Sequence, residues 1–129
     1  MVKIILISHG NLAQTLLETA AQIGSFDTKE IDTFSVSGKG DLESLPSKLL
    51  KALGENGTLI LVDTLGGSAC NSAVQNTQHL QNIKVICGVN LNMLLAAINN
   101  RDKMDLISLA SKVLEDGRKS LIDISDRLK

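Results

Sequence analysis

Val2-Lys3-Ile4-Ile5-Leu6-Ile7 runs straight into Ser8-His9-Gly10-Asn11, and the residues after it repeat Leu12, Leu16, Ala20 and Ile23 on one helical face before Gly24. An apolar run of strand length, a polar turn and an amphipathic helix make a βα unit whose strand is buried on both sides, as in a parallel sheet. The rest of the chain repeats this plan. Ile31-Asp32-Thr33-Phe34-Ser35-Val36 alternates apolar and polar residues, as a strand nearer the sheet edge does. Leu45, Leu49 and Leu53 mark a second helix ending at Gly54. Pro46 favours a regular start near Ser44 over one at Asp41, because only the first turn leaves amide donors unpaired. Thr58-Leu59-Ile60-Leu61-Val62 is a second continuous apolar run, followed by the turn Asp63-Thr64-Leu65-Gly66-Gly67-Ser68 and a helix carrying Ala69, Ala73, Val74 and Leu80. A fourth strand is expected from Ile83 to Val89, then Asn90 and a helix with Leu91, Leu94, Leu95 and Ile98. Helical spacing resumes at Leu106, Leu109, Ala110, Val113 and Leu114 until Gly117, while Leu121-Ile122-Asp123-Ile124 fits either more helix or a last strand. The pattern predicts an α/β, doubly wound, three-layer domain with a mainly parallel central sheet in the order 2-1-3-4.

Composition narrows the function classes. The chain has 129 residues, of which 43% are hydrophobic, enough for one core, so residues 1–129 read as a single domain. The net charge is -1, and charges of both signs are interspersed, as in Glu115-Asp116-Gly117-Arg118-Lys119. No basic stripe or acidic tail is present to recruit nucleic acid or lipid. Two Phe and no Tyr or Trp leave almost nothing for base stacking. The start Met1-Val2-Lys3 enters a strand without the h-region of a signal peptide, and the apolar runs are far below membrane-spanning length, so a soluble cytoplasmic protein is expected. Cys70 and Cys87 have neither CxxC spacing nor ligand spacing to His9 or His79. Buried free thiols, with no disulfide and no zinc site, are therefore the expectation. No acid cluster has metal-ligand spacing and no Gly-x-Ser-x-Gly elbow occurs, so neither a metal nor an organic cofactor is expected.

The strand order decides where chemistry falls. In the order 2-1-3-4, strands one and three are central neighbours and the switch point lies between them. His9, just past strand one, then meets Asp63, just past strand three, across more than fifty residues of sequence. A carboxylate accepting from one imidazole nitrogen fixes the tautomer and leaves the other as a lone pair, a nucleophile or base. The plain alternative for His9 is a solvated loop imidazole. For Asp63 to Ser68 it is an ordinary turn with Asp and Gly chosen for backbone reasons. The surroundings suit an anion: amides near Gly10 and Asn11 and near Gly66, Gly67 and Ser68 open helices beside the same crevice, and Thr64 and Ser68 add hydroxyls. One exposed helix terminus contributes about 0.3–1 kcal/mol, too little for a phosphoryl group of about -1.5 to -2 charges, so several donors must converge. Elsewhere, Ser37-Gly38-Lys39-Gly40-Asp41 reads as a surface loop without a Walker pattern. His79 reads as a surface residue late in the third helix, and Met93 and Met104 as core filler.

Three motifs occur in order along the chain. They are Ser8-His9-Gly10, Val62-Asp63-Thr64-Leu65-Gly66-Gly67-Ser68 with Asn71, and Gly88-Val89-Asn90-Leu91-Asn92-Met93-Leu94. Together they resemble the enzyme IIA component of the mannose-family bacterial sugar phosphotransferase system. The resemblance implies that His9 receives a phosphoryl group from the histidine-containing phosphocarrier protein and passes it to a histidine of enzyme IIB, serving the membrane IIC and IID components indirectly. It further implies that Asp63 orients the imidazole, that Thr64 and Ser68 bind the phosphoryl group, and that the domain is a homodimer exchanging a C-terminal strand, for which Leu121 to Ile124 is the candidate. Such a subunit is cytoplasmic, or peripheral to the permease through its partners. The chain departs from the family pattern at Ser68-Ala69-Cys70, where Ser-Pro-Phe is common, at Asn92, where a proline is common, and at Leu65, where an aromatic is frequent. Two other readings keep a phosphorylated His9: a IIA-like subunit feeding dihydroxyacetone kinase, and a regulatory module whose phosphorylation tunes binding to a partner.

Overall fold

In a computed structural model, which describes residues 1–128, the chain runs β1 (Lys3–His9), α1 (Leu12–Gly24), β2 (Asp32–Val36), α2 (Lys39–Ala52), β3 (Thr58–Val62), α3 (Ser68–Thr77), β4 (Ile83–Cys87), α4 (Leu91–Asn100) and α5 (Leu106–Lys119), and closes with a 3-10 helix over Ile124–Leu128. The four strands form one parallel sheet in the order β2-β1-β3-β4, as the sequence pattern predicts. β1 and β3 are the inner pair, in register from Lys3 opposite Thr58 to Ile7 opposite Val62.

Side chains on a strand alternate between faces, so each inner strand feeds two cores. Ile4, Leu6, Leu59, Leu61 and Ile86 face α1, α4 and α5, meeting Leu17, Leu94, Leu109 and Val113. Ile5, Ile7, Ile60 and Val62 face α2 and α3, meeting Leu45, Leu49, Ala69 and Ala73. This two-sided burial is why β1 and β3 read as unbroken apolar runs. Each fully buried aliphatic side chain contributes about 1.5–3 kcal/mol, and Ile4, Ile5, Leu6, Ile7, Leu59, Ile60 and Leu61 are all completely buried. The catalytically suggestive turns thus project from the most rigidly packed part of the molecule.

Several boundaries differ from the sequence reading for local reasons. β1 continues through His9 because β2 pairs with it as far as His9 opposite Val36. β4 ends at Cys87 instead of Val89: Gly88 takes a positive φ of 88°, and the amides of Gly88 and Val89 both turn back to donate to Val62 O at 2.9 and 3.0 Å. The second helix starts at Lys39, ahead of Ser44, and carries Pro46 inside it. Its entry is fixed by Asp41, whose Oδ2 accepts from the Ser37 amide at 2.8 Å, so part of the glycine-rich segment is helix and not loop. α3 ends at Thr77, leaving the exposed His79 beyond it.

The expectation of two free thiols is overturned. Cys70 and Cys87 are joined as a disulfide, with their Cα atoms 6.6 Å apart, inside the range that a bridge spans. Sequence spacing hides the encounter, but the topology explains it. Cys87 pairs with Val62 at the end of β3, and α3 begins just past that end, with Cys70 as its third residue.

Leu121–Asp123 adopt no regular structure and Ile124–Leu128 form the 3-10 helix, so a C-terminal strand is not formed within the single chain. Leu121, Ile122 and Ile124 are exposed instead.

Candidate functional site

The predicted meeting of the two turns is present. His9 and Asp63 stand at the C-terminal ends of neighbouring strands, and Asp63 extends the pairing one step further, donating its amide to Ile7 O at 3.2 Å. Its carboxylate binds His9 twice through one oxygen: Oδ2 accepts the His9 amide at 2.9 Å and the ring Nδ1–H at 2.8 Å. Oδ1 accepts the Thr64 amide at 2.9 Å. A carboxylate only accepts, so Nδ1 carries the proton in this contact and Nε2 keeps its lone pair. The Asp63 side chain is 8% exposed and the His9 side chain 49% exposed. The carboxylate is thus a sheltered anchor and the imidazole an open head.

Burial pushes the Asp63 carboxyl up, but the hydrogen bonds from the His9 amide, the His9 ring and the Thr64 amide, with the charge of the His9 ring, outweigh it and hold the group below its ordinary value. These hydrogen bonds therefore favour the anionic form of Asp63.

Gly67 closes the site from the other side. A Cβ there would lie 2.8 Å from Thr64 Oγ1 and 3.0 Å from His9 Cε1, so only glycine lets this backbone lie against the imidazole. Gly67 is also the N-cap of α3 and supplies no side-chain cap. The Ser68, Ala69 and Cys70 amides consequently begin a helix without intrahelical acceptors, and the Ser68 side chain is exposed among them. Gly66 turns the chain at φ 80° with open space where a side chain would be. Asn71 Nδ2 secures this turn by donating to Gly66 O at 3.3 Å.

Gly10 and Asn11 occupy the opposite turn. Gly10 takes φ 53°, and its carbonyl accepts from Ser35 Oγ at 2.6 Å. Asn11 caps α1 through its backbone, its carbonyl accepting the Thr15 amide at 3.0 Å, and makes no side-chain cap. The sequence reading passed over two residues that hold this turn. Ser8 is fully buried, and its Oγ accepts the Ala13 amide at 2.7 Å, tying the end of β1 to the start of α1. Ser35 is the other. A serine before the histidine was a visible signal for a cap, because serine hydroxyls commonly accept from the first helical turn.

Around the half-exposed ring, Gly10, Asn11, Thr64, Leu65, Gly66 and Ser68 are all exposed. The site is an open shelf at the sheet's end, with an exposed imidazole, a sheltered carboxylate behind it and the first amides of α3 beside it. Such a shelf is accessible to another protein's surface.

Residues 3–114 match the family model described as PTS system fructose IIA component, EIIA-man. The chain is 31% identical over 127 residues to the PTS system mannose-specific EIIAB component of Escherichia coli (strain K12), with 93% of this chain and 39% of that protein aligned. The chain thus spans well under half the length of that relative. The structure of phosphotransferase system component EIIA from Streptococcus agalactiae superposes with a TM-score of 0.89 at 25% identity, covering 98% of this chain and 99% of that one. The mannose/sorbose specific IIA subunit from Enterococcus faecalis superposes with a TM-score of 0.82 at 27% identity, covering 95% and 94%.

Proposed function

The chain belongs to the EIIA-man family of phosphotransferase-system IIA components, and from that premise we propose that it is a phosphoryl carrier that takes a phosphoryl group on His9 and hands it on for sugar uptake and phosphorylation. The observation that carries the reading is the Nδ1–Asp63 hydrogen bond of 2.8 Å, which leaves Nε2 as the reacting nitrogen. Its lone pair attacks the phosphorus of the phosphorylated histidine-containing phosphocarrier protein. A new N–P bond forms as the donor's N–P bond breaks, and the bonding electrons return to the donor imidazole. The His9 ring then carries positive charge, which Asp63 offsets. The Thr64 and Ser68 hydroxyls and the free Ser68 amide receive the phosphoryl oxygens, with Gly10, Asn11, Gly66 and Gly67 bordering them. Onward transfer repeats the exchange with a histidine of enzyme IIB as nucleophile, and the membrane IIC and IID components lie downstream.

In this reading residues 1–129 act as one IIA domain of mannose type in the cytoplasm, reaching the membrane through partners. Among the described residues no helix is long and apolar enough to cross a membrane. A homodimer is supported by β4, which is an edge strand, and by the exposed Leu121, Ile122 and Ile124 nearby in sequence to the chain end. The test is incubation with the phosphorylated carrier, detection of an acid-labile phosphate by mass spectrometry, and addition of IIB. Label is expected on the native chain, absent from His9→Ala, and discharged by IIB. Label retained by His9→Ala overturns the assignment, and label that IIB cannot remove favours a regulatory module.

A further inference from the structure

The Cys70–Cys87 bridge is not used by the phosphoryl chemistry, yet it borders the site. From Val62 the chain passes through Asp63, Thr64 and Gly67 into the first turn of α3 at Cys70. The bridge then crosses to Cys87, which is the register partner of Val62. The neighbouring amides of Gly88 and Val89 also donate to Val62 O. The turn that carries the Asp63 carboxylate and presses Gly67 against the His9 ring is therefore closed into a small covalent and hydrogen-bonded loop. Without the S–S bond, its α3 end keeps the packing of Ala69, Cys70 and Ala73 and the Asn71 hydrogen bonds to Gly66 O and Gly67 O, but loses its one covalent tie to β4.

We propose that Cys70 and Cys87 are a reversible thiol–disulfide switch that sets how fast His9 accepts a phosphoryl group, an inference resting on the carrier reading above. Reduction removes the covalent tie between the first turn of α3 and the end of β4, so that turn gains freedom to shift. That freedom falls beside Gly67, three residues before Cys70, where an added Cβ would already lie 3.0 Å from His9 Cε1. Preorganised donors tolerate displacements of only about 0.5 Å before they lose effect. In a reducing compartment, moreover, a protein disulfide is characteristically transient and redox-sensing.

The oxidant is a low-molecular-weight disulfide, and the exchange balances. Cys87 is the more accessible sulfur, partly exposed where Cys70 is buried. Its thiolate attacks the reagent, forming a mixed disulfide and expelling one thiolate. The Cys70 thiolate then attacks the Cys87 sulfur and expels the second. Two electrons pass from the protein thiols to the reagent, and the two protein protons end on the two released thiols.

The test compares the native chain, equilibrated with oxidised glutathione or with dithiothreitol, for N-ethylmaleimide labelling after denaturation and removal of the reagent, for phosphorylation rate from the phosphorylated carrier, and for amide hydrogen exchange. Expected are no labels on the oxidised chain and two on the reduced one, a rate lower by about three- to tenfold on reduction, and faster exchange in the first turn of α3. Cys70→Ser/Cys87→Ser is expected to keep the slow rate in both reagents, with circular dichroism verifying its fold. Two labels after oxidation, equal rates in the two states, a faster reduced form, or a redox response in the double variant each overturn the proposal. If neither state is phosphorylated, the carrier reading fails instead. Hydrogen exchange then judges the bridge alone, and unchanged protection of α3 rejects it.

Discussion

One oxygen of Asp63 holds both the backbone and the ring of His9, at 2.9 and 2.8 Å. The carboxylate therefore sets the ring's tautomer and its position together, while the neighbouring oxygen is committed to the Thr64 amide. Three donors converge on a group that offers only acceptors.

Asp63→Asn breaks that match, because an amide presents one oxygen and its NH2 faces a donor. Hydrogen bonds to charged groups are worth about 1.5–3 kcal/mol, so phosphoryl uptake by His9 is expected to fall about ten- to hundredfold with the fold retained. Rapid-quench measurement of phosphorylated protein checks this, and an unaltered rate removes Asp63 from the mechanism.

The same carboxylate gives a pH dependence. Its value in the fold is depressed below the ordinary 3.8, so the folded state binds this proton less readily than the unfolded state. The resulting stabilisation is complete above the ordinary value and is lost as pH falls below it and through the depressed one. Urea unfolding from about pH 6 down to about pH 3 should show Asp63→Asn losing less stability on acidification than the native chain. Asp105, Glu115 and Asp123 are also depressed and remain in both proteins. Equal slopes would contradict the depression at Asp63.

Gly67→Ala tests the contact behind the ring. The backbone at Gly67 is ordinary, with φ -76° and ψ 166°, so the methyl acts by collision with Thr64 Oγ1 and His9 Cε1. Phosphoryl uptake is expected to drop about tenfold or more with little change in unfolding midpoint. Gly38→Ala, where a Cβ meets open space, is the control. Parallel loss in both variants would mean that the effect is not local to the imidazole.

Far from the site, Arg101 ties the start of β1 to the end of α4. Its Nε donates to Val2 O at 2.9 Å, and the Val2 amide donates to Arg101 O at 3.0 Å. Burial lowers the guanidinium's proton affinity, opposed by the charges of Glu30 and Asp102. Arg101→Ala leaves a buried carbonyl without its charged donor, and a loss of about 1.5–3 kcal/mol is expected. Denaturant unfolding checks it, with phosphoryl uptake unchanged at temperatures where the variant is folded.

Much of this was legible before any coordinates. The apolar runs of β1 and β3 announce strands covered on both faces, and the order 2-1-3-4 follows from the alternation of elements. That order alone brings His9 to Asp63. What escaped was set by contacts that periodicity does not encode. The bridge between Cys70 and Cys87 depends on which end of the sheet α3 starts from. The early start of α2 depends on Asp41 catching the Ser37 amide despite Pro46. The stop of β4 depends on a single positive φ at Gly88. Ser8 and Ser35 were visible as letters, but their hydroxyls gain a purpose only where strand ends and helix starts converge.

The buried hydroxyl of Ser8 has one more implication. By clamping Ala13 to the last interior residue of β1, it makes the histidine's main chain a continuation of the sheet's interior, while Gly10 and Asn11 bulge outward as a separate rim. The footing of the imidazole is therefore inherited from the buried core and not from the exposed turn that follows it. A change beneath the ring, at the wholly buried Ser8, is expected to displace His9 while leaving every surface side chain as it was.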